Sequence, residues 1–273
     1  MKKRKAQATI LIIVAIVIVL AIGITAYIIN ENKKAESEAY FSGTEIQPTV
    51  SAIQSQTLDC AKEISTESLF VIGFQGGYHV KPDNNLLEIE ESFIPLYYNQ
   101  GTITMPSKRD IEENLASYVD KNIANCLNLI SYETYDLKFQ NPITKTIINK
   151  DEVTFVIKQP ITVEKEGFKT DIGLDNEVIA ITSELDAIID LAYYLTNSHL
   201  EDPELYCITC LADSAEEDDL YVDISNLEEN EMFISIYENH TSSETYSFEF
   251  VYKYTGDERT PTPVTSPPNP PTE

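Results

Sequence analysis

The tightest grouping of reactive side chains in the 273-residue chain is Cys207-Ile208-Thr209-Cys210. A C-x-x-C pair serves redox sites, half of a zinc site, or a small disulfide. Redox chemistry needs a thiol whose pKa is depressed by a cation or a helix N-terminus. Here the neighbours are Glu201, Asp202, Glu204 and Asp213, which would raise it, and the nearest basic candidate in sequence is His199. Zinc would need two further ligands, and Cys60 and Cys126 could supply them only if unbridged. A second grouping, Asp213, Glu216, Glu217, Asp218 and Asp219, offers oxygen ligands to a divalent cation such as calcium. It has no EF-hand spacing and no glycine to turn a ligand loop tightly, so a solvated acidic loop is the expectation. Beyond that divalent cation, no cofactor is implied.

Other reactive patterns are missing. G-x-S-x-G, H-E-x-x-H, G-x-G-x-x-G and the P-loop do not occur. His79, His199 and His240 are scattered, and none has a second histidine at metal-ligand spacing. Acids are so abundant that no glycosidase pair stands out. No catalytic residue is therefore assigned, and the expectation leans away from an enzyme. Asn239-His240-Thr241 is an N-glycosylation acceptor in a predicted hairpin loop, which suits an external surface.

Charge narrows the partners. The formal charge is −26, from 19 Lys+Arg against 45 Asp+Glu. Such a chain does not seek phosphate backbones, so nucleic acid is excluded. The imbalance is also local: from Thr170 to Tyr252 there is no Lys or Arg in 83 residues, while 21 are Asp or Glu. That field favours a protein partner of basic character, or a cation, at the acidic face.

The elements that must position these residues begin with an apolar run, Ala8–Ile29, of 22 residues. As one helix it is about 33 Å long, enough to cross the hydrocarbon core and take the lipid bilayer as partner. A cleaved secretory signal has a shorter apolar region, so a retained anchor is expected. Residues 1–7 form the basic cytoplasmic segment, which sends the remainder outside the cell. Outside, Cys60, Cys126, Cys207 and Cys210 are expected to be oxidised, with three connectivities open on counting alone. Val50, Ile53, Thr57, Cys60 and Ile64 recur at helical spacing, as do Ile111, Leu115, Val119, Ile123 and Cys126. Each helix puts one cysteine on its apolar face, which favours Cys60–Cys126 with Cys207–Cys210 as the second pair.

After a polar linker at 30–43, one external domain is expected over 44–254. Its first helix runs from Pro48 to Phe74 and stops at Gly76-Gly77; a second covers about 108–129 behind a capping box at Ser107 and Asp110. A Tyr-rich extended stretch lies between them. Short strands Tyr135–Phe139, Lys145–Ile148, Val153–Lys158, Ile161–Glu164 and Phe168–Ile172 suggest an antiparallel meander. A third helix starts near Ser183, read as an S-x-x-D cap with Asp186, and strands Leu220–Ile224, Met232–Tyr237 and Thr245–Tyr254 follow. In the last, Tyr246, Phe248, Phe250, Tyr252 and Tyr254 share one side, which at strand spacing reads as a buried face. The tail, 255–273, holds six of the 13 prolines and reads as a disordered spacer. The fold class is α+β: an N-terminal transmembrane helix, then helices packed on antiparallel β-sheet.

Two stretches resemble known families. Lys2-Lys3-Arg4-Lys5-Ala6-Gln7-Ala8-Thr9-Ile10-Leu11 looks like an archaeal type IV pilin leader. That resemblance implies processing between Ala6 and Gln7 and a hydrophobic helix that serves as an assembly core. Leu11 departs from it, standing where many pilins carry glutamate, as does the helix break at Gly43. Cys60, Ile72-Gly73-Phe74-Gln75-Gly76-Gly77-Tyr78, Ile94-Pro95-Leu96-Tyr97-Tyr98, Tyr118-Val119 and Asn125-Cys126 resemble uncharacterised membrane-anchored surface proteins of small-genome archaea. This resemblance implies an archaeal surface domain and transfers no active-site residue. Three functional readings result: a single-pass external structural or interaction protein, a pilin-like subunit, and an extracytoplasmic thiol oxidoreductase using Cys207 and Cys210. The first is the leading expectation.

Overall fold

Apolar periodicity and punctuation by proline and glycine set the helices. Helix α1, Gln47–Phe74, starts beside Pro48, whose missing N–H is no loss in a first turn. It stops where Gly76 and Gly77 take φ of +50° and +86°, and the Gly77 N–H donates to the Ile72 carbonyl at 2.8 Å. The computed structural model describes residues 40, 47–89, 92–201, 215–228, 230–238 and 246–254. The predicted anchor at 8–29, its processing residues Ala6 and Gln7, the tail, and Cys207, Cys210, Asp213 and Asn239 lie outside the described residues.

The described chain is a mixed α+β protein of helices and two sheets, and it divides into two compact units. The smaller draws on residues up to Gln56, on Ile130–Gln140 and on Pro160–Gly173. Its core is Val50 and Ile53 from the start of α1 with Ile161 and Val163 from strand β6 (Glu152–Lys165), enclosed by Tyr132, Tyr135, Leu137, Phe139, Phe168 and Ile172. Strand β4, Asp136–Phe139, runs antiparallel along β6 from Glu164 to Ile161. Between β6 and β7 (Phe168–Thr182), Glu166 and Gly167 take φ of +51° and +85°, the pair of left-handed residues a tight hairpin needs.

The larger unit comprises Thr57–Leu129, Asn141–Gln159 and the chain from Leu174 onward. Its sheet has the order β1-β2-β10-β9-β8, with β3 beside β2. The strands are β1 Leu86–Ile89, β2 Ser92–Asn99, β3 Thr102–Ile103, β8 Leu220–Glu228, β9 Glu231–Glu238 and β10 Ser247–Lys253. The aromatic stripe is core, as its spacing predicts: Phe248, Phe250 and Tyr252 are fully buried, with Tyr246 and Tyr254 nearly so. Tyr97 stacks on Phe250 at 4.4 Å between ring centroids and donates its hydroxyl to the Gly76 carbonyl at 2.8 Å. Helix α3, Leu185–Glu201, meets the same face, where Thr196 Oγ1 lies 2.9 Å from the Tyr252 hydroxyl.

Two expectations need correcting. The sheet is not antiparallel throughout, because β2 and β10 pair in parallel. A parallel neighbour needs a crossover, and here everything from β3 to β9 supplies it. The strands expected at Val153–Lys158 and Ile161–Glu164 are one, β6, running through Pro160. On one edge β6 pairs with β5 (Ile143–Ile148) up to Lys158, and with β4 only from Ile161. Pro160 sits in the gap where neither ladder asks for an N–H.

Candidate functional site

Helix α2, Lys108–Leu127, carries most of the titratable side chains that the fold gathers in one place. Its start is fixed by a complete capping box: the Asp110 N–H donates to Ser107 Oγ, and the Ser107 N–H donates to Asp110 Oδ2 at 2.9 Å. The Ser107 hydroxyl, which donates to Asp110 Oδ2 at 2.6 Å, and the Ser107 N–H hold the Asp110 carboxyl below its usual range. One face buries Ile111, Leu115, Tyr118, Val119, Ile123 and Leu127, and Cys126 is joined to Cys60 of α1 with 5.7 Å between Cα atoms. About two turns from the bridge, Tyr118 donates to Glu67 Oε1 at 3.0 Å; burial and that carboxylate push its phenol up to about 12.

Beside this face lies a groove of about 480 Å³, lined by Glu113, Ala116, Ser117, Asp120 and Lys121 of α2 with Asn141 and Pro142 ahead of β5. Asp120 is half-buried there, and burial raises its carboxyl while Thr144 of β5 partly offsets the rise. Glu112, about two turns earlier on α2, accepts the Ile148 N–H at 2.9 Å and so ties α2 to β5. The His79 imidazole meets the Tyr118 ring edge-on at 5.3 Å, and the His79 backbone N–H donates to Asn114 Oδ1. Burial, aided by Lys121, lowers the imidazole pKa. A nucleophilic serine needs a base in hydrogen-bond reach. Ser117 lines the groove while the His79 ring packs on Tyr118, and no histidine is among the groove's lining residues.

Of the acidic grouping, Glu216 and Glu217 lie in a single helical turn and Asp218 and Asp219 in the turn after it, all exposed. Asp219 takes φ of +55° and its N–H donates to the Glu216 carbonyl at 3.3 Å. Among the described residues no three His, Cys, Asp or Glu side chains come together as metal ligands. Cys60 and Cys126, the other predicted site residues within view, are brought together as the bridge already described.

Sequence reasoning missed Glu238. It lies buried on β9, where its Oε1 accepts from Ser183 Oγ and from the Glu184 N–H, both at 2.7 Å, at the start of α3. The S-x-x-D box expected there is not formed by Asp186, which pairs with Lys108 of α2. A carboxylate 55 residues away in sequence takes its place, and no local pattern could have announced it. The alternation of β9 was legible, however, and a lone acid at its end was the available signal. Among the described residues no helix is long and apolar enough to cross a membrane. No protein-family model matches the chain, and neither does any curated protein or solved structure.

Proposed function

We propose that the chain is a single-pass, membrane-anchored structural or interaction protein of an archaeal cell surface, with its α+β domain outside the cell. The observation that carries this reading is the Cys60–Cys126 bridge between α1 and α2, a bond that the cytosol would keep reduced. The apolar run Ala8–Ile29 behind a basic segment supports it from the sequence. The groove on α2 brings Asp120 and Ser117 together with Lys121 but has no histidine in its lining, and it names no reaction class.

Intact mass of the protein from its native membrane, with and without reductant, tests the reading. The expected chain keeps its basic leader and gains mass on reduction as disulfides open. A chain that begins at Gln7 assigns it instead to the pilin-like reading, in which the apolar helix polymerises. A chain whose thiols are all free in the native membrane overturns the external placement. The thiol oxidoreductase alternative requires Cys207 and Cys210 to exchange at the potential of redox carriers. A 207–210 bond that resists mild reductant removes it.

A further inference from the structure

Strand β8 closes the large sheet on one side, and among the described residues its outer edge is open. Backbone groups of successive residues on a strand point to opposite sides, so one hydrogen bond fixes the direction of the others. The Glu238 N–H donates to the Tyr246 carbonyl at 3.3 Å, toward β10. Ile236 and Ile234 therefore also turn to β10. Tyr237, Ser235 and Phe233 turn to β8, where their partners are Tyr221, Asp223 and Ser225. Leu220, Val222 and Ile224 are left with N–H and C=O directed away from β9, and no described strand lies on that side.

The side chains show the same deficit. Val222 pairs with Ile236, which pairs with Phe248, so Leu220, Val222 and Ile224 share the face of the aromatic core. Ile234, Ile236 and Phe248 are fully buried there, but Val222 and Ile224 are only half-buried. The opposite face of β8 shows Tyr221, Asp223, Ser225 and Leu227, all exposed. A solvent-facing edge is ordinarily guarded by lysine, proline or a bulge. β8 has neither lysine nor proline, and its register shift falls at the far end, between Asn226 and Glu228.

We propose that the outer edge of β8 takes up an extended segment of a partner protein as a further strand, one in which apolar residues alternate with lysine or arginine. Main-chain hydrogen bonds to Leu220, Val222 and Ile224 carry the affinity, and the alternation carries the choice of partner. The apolar residues cover Val222 and Ile224 on the core face. The basic residues lie on the other face beside Asp223, with exposed Glu228 at one end and exposed Glu216, Glu217 and Asp218 ahead of the other. Charge decides against a second copy of this chain as the occupant. Pairing β8 with itself would join two molecules of formal charge −26 along a stretch, Thr170 to Tyr252, that has no Lys or Arg to offer. The inference rests on the reading of this domain as an interaction module and names the form and chemistry of its partner.

The test uses the full-length chain in nanodiscs of zwitterionic lipid, with empty discs as the blank. It is titrated at about 150 mM salt with an N-acetylated, amidated Val-Lys-Val-Lys-Val peptide. Val222→Pro removes an outward N–H and leaves the ladder to β9 intact, since proline is tolerated where its nitrogen faces solvent. It is expected to weaken binding at least about tenfold, because its ring also obstructs the incoming strand. Asp223→Asn is expected to weaken binding about threefold, the size of one exposed ion pair. Asp59→Asn/Glu133→Gln removes two exposed charges from other elements and is expected to leave binding within about 1.5-fold. Circular dichroism checks that each variant keeps the fold. The same peptide N-methylated at every residue makes the matching cut on the partner side, with the unsubstituted chain, and is expected not to bind. Binding that survives both Val222→Pro and N-methylation, or that falls equally with both charge variants, would mean attraction by the overall field and would overturn the edge site. So would absence of peptide binding to the unsubstituted chain, or association of discs with one another that Val222→Pro abolishes. Peptide binding does not depend on which side of the membrane the domain faces, and the intact-mass experiment is blind to Val222, so the two readings can fail separately.

Discussion

Single side chains tie distant parts of the chain together, and removing them should be measurable. The Cys60–Cys126 bridge spans a sequence separation of 66, which in the chain-entropy model is worth about 4 kcal/mol. Cys60→Ser should therefore lower the urea midpoint substantially, and reductant should do the same to the unsubstituted protein. If neither shifts it, the bridge contributes nothing to stability. Glu238→Gln should cost about 1–2 kcal/mol, because the carboxylate that caps α3 accepts from both Ser183 and Glu184. Two carboxyls give opposite pH signatures. Asp110, held low by Ser107, contributes stability above the ordinary carboxylate pKa that is lost as pH falls through its depressed value. Glu249, raised by burial, does the reverse: its folded form takes up a proton first, so stability falls as pH rises through the raised value. Melting curves across the acid range should show Asp110→Asn flattening the first dependence and Glu249→Gln the second. At this scale the cysteine pair was legible because both cysteines fall on apolar helix faces. Glu238 and the open edge of β8 were not, since strand order and register decide them and no local periodicity encodes either.

Helices and most strands could be read from pattern, and the misreadings have physical causes. Gln47–Phe74 and Lys108–Leu127 match their predicted spans closely because Pro48, Gly76-Gly77 and the Ser107–Asp110 box are punctuation that tertiary structure did not override. Pro160 misled, because a proline inside a strand usually ends it, and only the pairing shows that its missing N–H falls between two ladders. The expected Phe168–Ile172 strand extends to Thr182, its pattern obscured by a largely exposed stretch at 175–178. The end of α1 makes the sharpest demand. A Cβ on Gly76 would stand 2.6 Å from both the Glu249 carbonyl oxygen and Pro95 Cγ, at a φ of +50°. Gly76→Ala combines left-handed strain of about 1–2 kcal/mol with overpacking of about 1–3 kcal/mol, and should lower stability by the sum. Since Tyr97 also bonds to the Gly76 carbonyl, near-ultraviolet circular dichroism of the tyrosines should change with it.

Over the whole molecule, charge and chain order matter most. With a formal charge of −26 the folded state repels itself, and its exposed ion pairs, such as Arg109 with Glu113, return little. Raising sodium chloride from about 10 mM to about 150 mM shortens the screening length from about 30 Å to about 8 Å, so the melting temperature should rise. A fall would mean that the ion pairs outweigh the repulsion. Composition made this charge balance plain, and alternation made the aromatic core plain. The order of the large sheet was out of reach, because no pattern in β10 says that it lies between β2 and β9 and runs parallel to the former. That placement has a consequence for how the protein is made. The strand at the centre of the sheet is the last of the described strands to be synthesised, and Tyr97 has no Phe250 to stack on until residue 250 has emerged. Growth of the chain therefore runs ahead of the large sheet's core, and β1 and β2 wait for most of translation for their neighbour β10. A ribosome that stalls before β10 releases a chain with no centre to its sheet, so a finished fold certifies a chain read through at least to Lys253.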